Sequence, residues 1–324
     1  MLTKKSPSAI TLSDFRSGIG KYKTLSCTIK NIGEFGLIER FKKLIKTDSS
    51  VIKGPGDDCA VLKFDKDKYQ LFTCDMIVEN TDFTLKDSPY LIGRKAIAVS
   101  VSDIAACAGL PRYCLVSLGM PGNTSVEFIN KVLKGMLNLA KKYNINLVGG
   151  DISRARQLTI DVSMLGIVEK KNLVLRNGAK RGDIIFVTGK LGGSILGKHL
   201  RFIPRLKEAR FLVKNFRVNS MIDISDGLAC DLGHILEESS AGAIIYEDLI
   251  PVSKQARNLN DALYWGEDFE LLFTVSAYEA KKLYRKKLTG FKPIGEIVHK
   301  IYGLRLVDRR GKEKLIKPQG FQHF

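Results

Sequence analysis

The sequence predicts an α/β (α+β) protein of two layered domains. Its 324 residues exceed one ordinary core and favour two domains. Short apolar segments alternate with longer amphipathic ones along both halves. A polar, Gly-containing joint, Arg176 to Asp183, separates the halves. The expected divisions are a basic arm over 1–30, an N-terminal domain over 31–178 and a C-terminal domain over 179–324.

Residues 1–30 are rich in Ser and Thr, with Asp14 the only acid. A flexible arm is the default; an overlong gene start and a transit-peptide composition are the alternatives. Phe35, Leu37, Ile38, Phe41, Leu44 and Ile45 approximate one helical stripe, predicting a first helix over 32–45. Strands are expected near 58–64 and 69–75. Ser88-Pro89 is a helix-start signal, and Ile92, Ala96 and Val99 carry that helix to about 108, with Asp103 in or near its end. A strand near 112–119, an amphipathic helix over 124–144 and strands near 145–149 and 157–169 complete the first half. The second half opens with the strand Ile184–Thr188 and a helix near 192–200. A basic stretch over 198–217 reads as a solvated helix face. An aspartate loop at 223–226, a helix near 228–239 and alternating strands and helices follow.

Hydrophobic content of 44% and charged content of 27% are ordinary for a soluble protein. No apolar run approaches the roughly 18 residues of a membrane helix, so no membrane partner is expected. Six cysteines without C-x-x-C or zinc spacing, and no signal peptide, read as reduced thiols of a cytoplasmic protein. Four histidines leave little for a histidine-rich metal centre or a Ser-His-Asp hydrolase. The net charge of +18 favours anionic partners: nucleic acid, phosphorylated small molecules, or neither if it reflects a proteome-wide lysine bias. Without an aromatic-interleaved basic platform, nucleic acid is not the expected partner.

The functional signal is a recurrence. Gly56-Asp57-Asp58-Cys59-Ala60, Thr73-Cys74-Asp75, Ser102-Asp103, Gly149-Gly150-Asp151 and Asp223-Ile224-Ser225-Asp226-Gly227 each place an Asp beside or after a short apolar segment. Such ends and loops are where a scaffold presents functional groups. Adjacent carboxylates repel unless a cation joins them. Hard oxygen ligands beside hydroxyls suit Mg²⁺, which also keeps substrate phosphates in its shell. The pattern points to a metal and polyphosphate site, with Asp57 readable as a turn cap beside the ligand Asp58. Gly192 to His199 nearly spells a P-loop, but His199 stands where a hydroxyl is required. Those glycines are read as packing.

With Gly33-Glu34-Phe35, Asp75-Met76-Ile77-Val78-Glu79, Ser102-Asp103-Ile104-Ala105-Ala106 and Gly266-Glu267-Asp268-Phe269-Glu270-Leu271 added, the chain from about Gly33 onward resembles the thiamine-monophosphate kinases. Their superfamily includes aminoimidazole ribonucleotide synthetase, selenophosphate synthetase and a hydrogenase maturation factor. The resemblance implies ATP-dependent phosphorylation of thiamine monophosphate to thiamine diphosphate with several Mg²⁺ ions. It also implies a homodimer whose N-terminal sheets pair into a barrel. It carries Asp58, Thr73, Cys74, Asp75, Asp103, Asp151 and Asp223 onto magnesium positions, and Asp226 near the transferred phosphate and its metal. Asp75, Asp103 and Asp226 become the central catalytic set. Gly150, Asp151, Arg176 and Ser225 fall at nucleotide positions, and Glu267 and Phe321 at the thiamine portion. Asp82 stands where the family carries a substrate-touching histidine, and Cys74 where Ser or Thr is common. A different phosphorylated acceptor, and a nucleotide- or nucleic-acid-binding protein without turnover, are the rival readings.

Overall fold

The computed structural model describes residues 28–286 and 290–324; Cys27 and nearly all of the expected arm lie outside them. The chain divides into a compact unit over 46–321 and a second that holds helix α1 (Ile29–Leu44) and residues 322–324. In the second unit, Gly33 leaves helical geometry at φ 67°, a conformation open to glycine, and kinks α1. Glu34 accepts the His323 amide at 3.0 Å. The apolar stripe expected on this helix does not form a buried face: Gly33 breaks the helical phase, no residue of α1 is buried, and Ile38, Phe41, Leu44 and Ile45 are exposed.

The larger unit contains two sheets. The first is built from β1 (Val51–Lys53), β2 (Ala60–Lys63), β3 (Lys68–Val78), β4 (Leu110–Met120), β5 (Asn146–Arg154) and β6 (Thr159–Glu169), with helices α2 (Pro89–Ala106) and α3 (Val126–Tyr143) between strands. Its order is β1-β2-β3-β6-β4-β5, antiparallel except for β4 against β5. The second half contributes β7 (Ile184–Thr188), α4 (Lys198–Arg201), α5 (Leu206–Asn215), β8 (Val218–Asp223), α6 (Leu228–Glu238), β9 (Ala241–Tyr246), α7 (Leu259–Tyr264), β10 (Leu271–Val275), α8 (Ala277–Arg285), β11 (Phe291–His299), β12 (Leu304–Val307) and β13 (Glu313–Leu315). Its sheet order is β13-β12-β9-β11-β7-β10-β8, antiparallel except for β9 beside β12.

Helix α2 is the element that the site depends on. It packs on β3 and β6 of the first sheet, on β8 of the second, and on α3, α4 and α5. Such burial on several sides needs small side chains, and Gly93, Ala96, Ala98, Ser100, Ser102, Ala105 and Ala106 supply them. A Cβ on Gly93 would run into the Val132 carbonyl of α3, and one on Gly135 into the Tyr90 carbonyl of α2. The two helices therefore cross with backbones nearly touching.

Three expectations require correction. Asp75 lies inside β3 and Asp151 inside β5, not at strand ends, while Asp103 is in the last turns of α2 as expected. The helix expected over 192–200 is a 3₁₀ turn followed by the four-residue α4, because Gly192, Gly193 and Gly197 take positive φ. The basic stretch is not a plain solvated face: Lys198 and Arg205 pair with buried Glu270, and Arg210 pairs with Glu169. The Gly93→Val variant should lose about 3 kcal/mol of stability through overpacking at the α2–α3 crossing. Urea unfolding checks this, and an unchanged midpoint would contradict so close a crossing.

Candidate active site

Asp58 sits in the turn before β2, Thr73 and Asp75 on β3, Asp103 on α2 and Asp223 at the end of β8. Oxygens of Asp58, Asp103 and Asp223 lie within 4.8 Å of one another. Thr73 donates to Asp103, and Ser102 Oγ donates to Asp223 Oδ2 at 2.5 Å. Arg176 Nη2 donates to Asp58 Oδ1 at 2.6 Å and its amide to Asp57 Oδ2 at 3.1 Å. Asp57 also accepts the Asp58 amide, so it holds the turn while Asp58 faces the cluster. The oxygens Asp58 Oδ2, Asp75 Oδ2 and Glu267 Oε2 are buried without any hydrogen-bond partner. Buried polar atoms in native proteins are nearly always paired, so the orphans on Asp58 and Asp75, whose carboxylates act on each other, mark a ligand site.

Burial, with repulsion from neighbouring carboxylates added, pushes Asp75 up to about 6, Asp57 to about 7 and Asp223 to about 8. Asp103 is raised for the same reasons. Burial raises Asp58 too, against the opposing pull of Arg176. Burial works against charge on the Arg176 guanidinium, yet Asp58 beside it outweighs that and moves its pKa upward.

The second half of the site is a pair of loops joined by backbone hydrogen bonds. The Glu267 amide donates to the Ser225 carbonyl at 2.6 Å, the Phe269 amide to Ile224 at 2.7 Å and the Ile224 amide to Glu270 at 2.8 Å. A Cβ on Gly266 would run into the Ser225 carbonyl. Glu267 and Phe269 hold φ of 66° and 49°, strained for non-glycine residues. Two buried acids clamp them there. Asp268 accepts the Gly192 amide at 2.7 Å and the Ser194 hydroxyl, while Glu270 takes Thr188, Lys198 and a two-pronged Arg205 contact at 2.6 and 2.8 Å. Glu267 and Asp268 therefore lie in a loop between α7 and β10. Gly192 and Gly193 serve close packing, with Cβ positions blocked by the backbone at Asp261–Ala262 and Gln255–Ala256. The Asp226 carbonyl accepts the Phe321 amide at 2.9 Å, and the Phe321 side chain is exposed.

Several expected residues stand elsewhere. The Cys74 side chain is exposed and donates to Asp161 at 3.0 Å, on the face of β3 opposite Thr73 and Asp75. Its thiol is not a ligand of the cluster, because strand residues alternate between faces. Asp151 is exposed on β5, outside the cluster; with Gly150 it lines a largely apolar cleft of about 390 Å³ against Leu133 and Met136 of α3. A Cβ on Gly150 would run into the Val116 carbonyl. The Asp82 carboxylate accepts the Val78 amide at 2.7 Å, turned into its own turn. Lys95 and Asp231 escaped the sequence reading. Lys95 is wholly buried and bonds Asp82 and Glu267; Asp231 Oδ2 accepts the Asp226 and Gly227 amides, both at 3.1 Å. A lysine on the apolar face of the helix, at the position before Ala96, was the available signal.

Residues 56–168 match the N-terminal domain of AIR synthase related proteins and residues 176–303 match the C-terminal domain. The thiamine-monophosphate kinase of Buchnera aphidicola subsp. Schizaphis graminum is 38% identical, over 90% of this chain and 98% of the relative. The Bacillus subtilis thiamine-monophosphate kinase is 34% identical, over 90% and 99%. The chain belongs to the thiamine-monophosphate kinase family. A solved structure of AaThiL complexed with AMPPCP and TMP superposes with a TM-score of 0.82 at 30% identity, covering 93% of this chain and all of that one.

As in any thiamine-monophosphate kinase expected to use a divalent cation, the donor set must suit the ion. Here it does: hard carboxylate oxygens converge, and two of them have no other partner. The raised carboxylates set a sign for pH. Their protonated forms favour the fold below about pH 4, and that contribution is lost as pH rises through about 6 to 8. The melting temperature of metal-free protein should therefore fall from pH 5 to pH 8.5, and millimolar Mg²⁺ should restore more of it at pH 8.5 than at pH 5. Differential scanning calorimetry in EDTA and in Mg²⁺ checks both halves; an equal Mg²⁺ effect at both pH values would contradict them.

Proposed function

We propose that this protein transfers the γ-phosphoryl group of ATP to thiamine monophosphate, giving thiamine diphosphate and ADP. The observation that carries it is the buried carboxylate cluster with unpartnered oxygens on Asp58 and Asp75, in a chain of this family. Donor and acceptor are both phosphates, so their mutual repulsion is the main obstacle and alignment the main task. Asp58, Asp75, Asp103 and Asp223 would hold Mg²⁺, with Thr73 orienting Asp103, Cys74 contributing at most its main chain, and Asp151 and Asp226 reaching metal from the nucleotide and transfer sides. When bound, the metal would neutralise the charge that builds up on the phosphates during transfer.

In the same assignment, Gly150, Asp151 and Ser225 contact the nucleotide, and the α3–β5 cleft takes the base. Arg176 has planar donors suited to phosphate oxygen and exchanges part of its Asp58 contact for one. Glu267 and Phe321 hold the thiamine portion. The acceptor phosphate is already an ionised nucleophile, so no general base is required. Asp82, with its carboxylate occupied by the Val78 amide, does not oppose an anionic acceptor. Residues 31–178 form the ATP- and Mg-binding half and 179–324 the other. Free thiols at the five described cysteines suit a cytoplasmic setting. Among the described residues no helix is long and apolar enough to cross a membrane.

A second copy of the chain completes the assignment. Phe72, Met76, Tyr113 and Leu115 lie exposed on one face of the first sheet, joined through β6 by their strand register. An apolar sheet face of this kind is what a partner sheet covers. Tyr113→Asp combined with Leu115→Asp should convert a dimer to monomer in analytical ultracentrifugation; an unchanged species would exclude this face.

Purified protein incubated with ATP, Mg²⁺ and thiamine monophosphate should form thiamine diphosphate and ADP in equal amounts, followed by chromatography. Asp75→Asn and Asp103→Asn should each lower kcat by about 10²–10³-fold, with Asp57→Asn within about threefold. Wild-type turnover in all three would remove the cluster from the mechanism. ADP formed without thiamine diphosphate would point to another acceptor.

A further inference from the structure

Among the described residues Lys95 is the largest fully buried side chain, and it projects from the middle of α2. Its ammonium donates to the Asp82 carbonyl at 2.7 Å and to Oε1 of Glu267. These partners lie on segments 185 residues apart in sequence, 267 − 82, one the turn after β3 and the other the strained 266–269 loop. The other oxygen of Glu267, Oε2, is buried and has no partner. A buried lysine is expensive unless it is paired and its protons are used. One end of the Glu267 carboxylate is thus anchored while the other is left as an acceptor.

We propose that Lys95 is a positioning residue for the phosphate acceptor: it fixes Glu267 so that Oε2 accepts a hydrogen bond from an amino-bearing heterocycle, and ties that loop to the Asp82 turn. The proposal rests on the assignment of Glu267 to the thiamine portion. Hydrogen-bond selectivity of this kind is strong only where the acceptor is rigid, because a mobile carboxylate accommodates ligands that lack the donor.

The test is a set of three variants assayed in Mg²⁺ with ATP and thiamine monophosphate. Lys95→Met should raise the KM for thiamine monophosphate at least tenfold and leave the KM for ATP within twofold. Glu267→Gln should act similarly, and the double variant should be no worse than Glu267→Gln alone, since the two residues act as one unit. Parallel rises in both KM values, or effects that multiply in the double variant, would overturn the proposal. If Lys95→Met fails to fold, the double variant removes the stranded carboxylate, and its KM against Glu267→Gln decides: equality supports the proposal and a further tenfold rise overturns it. Should wild-type protein make no thiamine diphosphate, the acceptor assignment falls by itself. The positioning role is then judged by crystal structures of wild type and of whichever Lys95→Met variant folds, alone or with Glu267→Gln. A displaced residue-267 side chain supports the role, and an unmoved one overturns it.

Discussion

Repulsion among Asp58, Asp75, Asp103 and Asp223 is the constraint on which the rest of the structure depends. Four carboxylates from a turn, a strand, a helix and a strand end are held in one buried space, and burial and proximity each disfavour their ionisation. Among the described residues only Arg176 offsets them directly with positive charge, and it engages one oxygen of Asp58. Thr73 and Ser102 add single hydrogen bonds. A cluster so incompletely compensated is held together by the surrounding fold and completed by a cation.

Helix α2 makes the cluster geometrically available. Its small residues let it lie against β3, β6 and β8 while α3 crosses it at backbone contact distance. Asp103 and Ser102 on its later turns meet Asp223 and Thr73, and Lys95 on an earlier turn meets Asp82 and Glu267. One rigid rod thus sets the spacing between the carboxylates and the Glu267 loop. The opposite wall is fixed differently. Glu267 and Phe269 are kept at positive φ by backbone bonds to the 224–225 segment, and buried Asp268 and Glu270 hold neighbouring loops. Four consecutive residues, three of them acidic, therefore do different work, and only Glu267 keeps a free oxygen.

Much of this was legible in sequence because it rests on local pattern. The Ser88-Pro89 start and apolar spacing located α2, and the amphipathic run over 124–144 located α3 within two residues at each end. The recurring aspartates pointed to the cluster that Asp58, Asp103 and Asp223 form. What pattern could not give was direction and long-range pairing. Alternation along β3, which runs three residues beyond the expected end at 75, sends Cys74 away from Thr73 and Asp75. Asp82 looked like a charge facing an anion, yet the tight turn from Val78 absorbs it. The cations at 198–210 looked solvated because their partners Glu169 and Glu270 are remote in sequence. Lys95 carried a sequence signal, but its role did not show for the same reason: its two partners meet only in the folded chain.

The most direct measurement is the anomalous difference density of crystals grown with Mn²⁺ and a non-hydrolysable ATP analogue. Manganese takes the same hard oxygen ligands as magnesium and scatters distinctively. The account predicts a peak bonded to Oδ2 of Asp58 and Oδ2 of Asp75, the two cluster oxygens that have no protein partner. Density confined to the nucleotide, with both oxygens still unliganded, would contradict it.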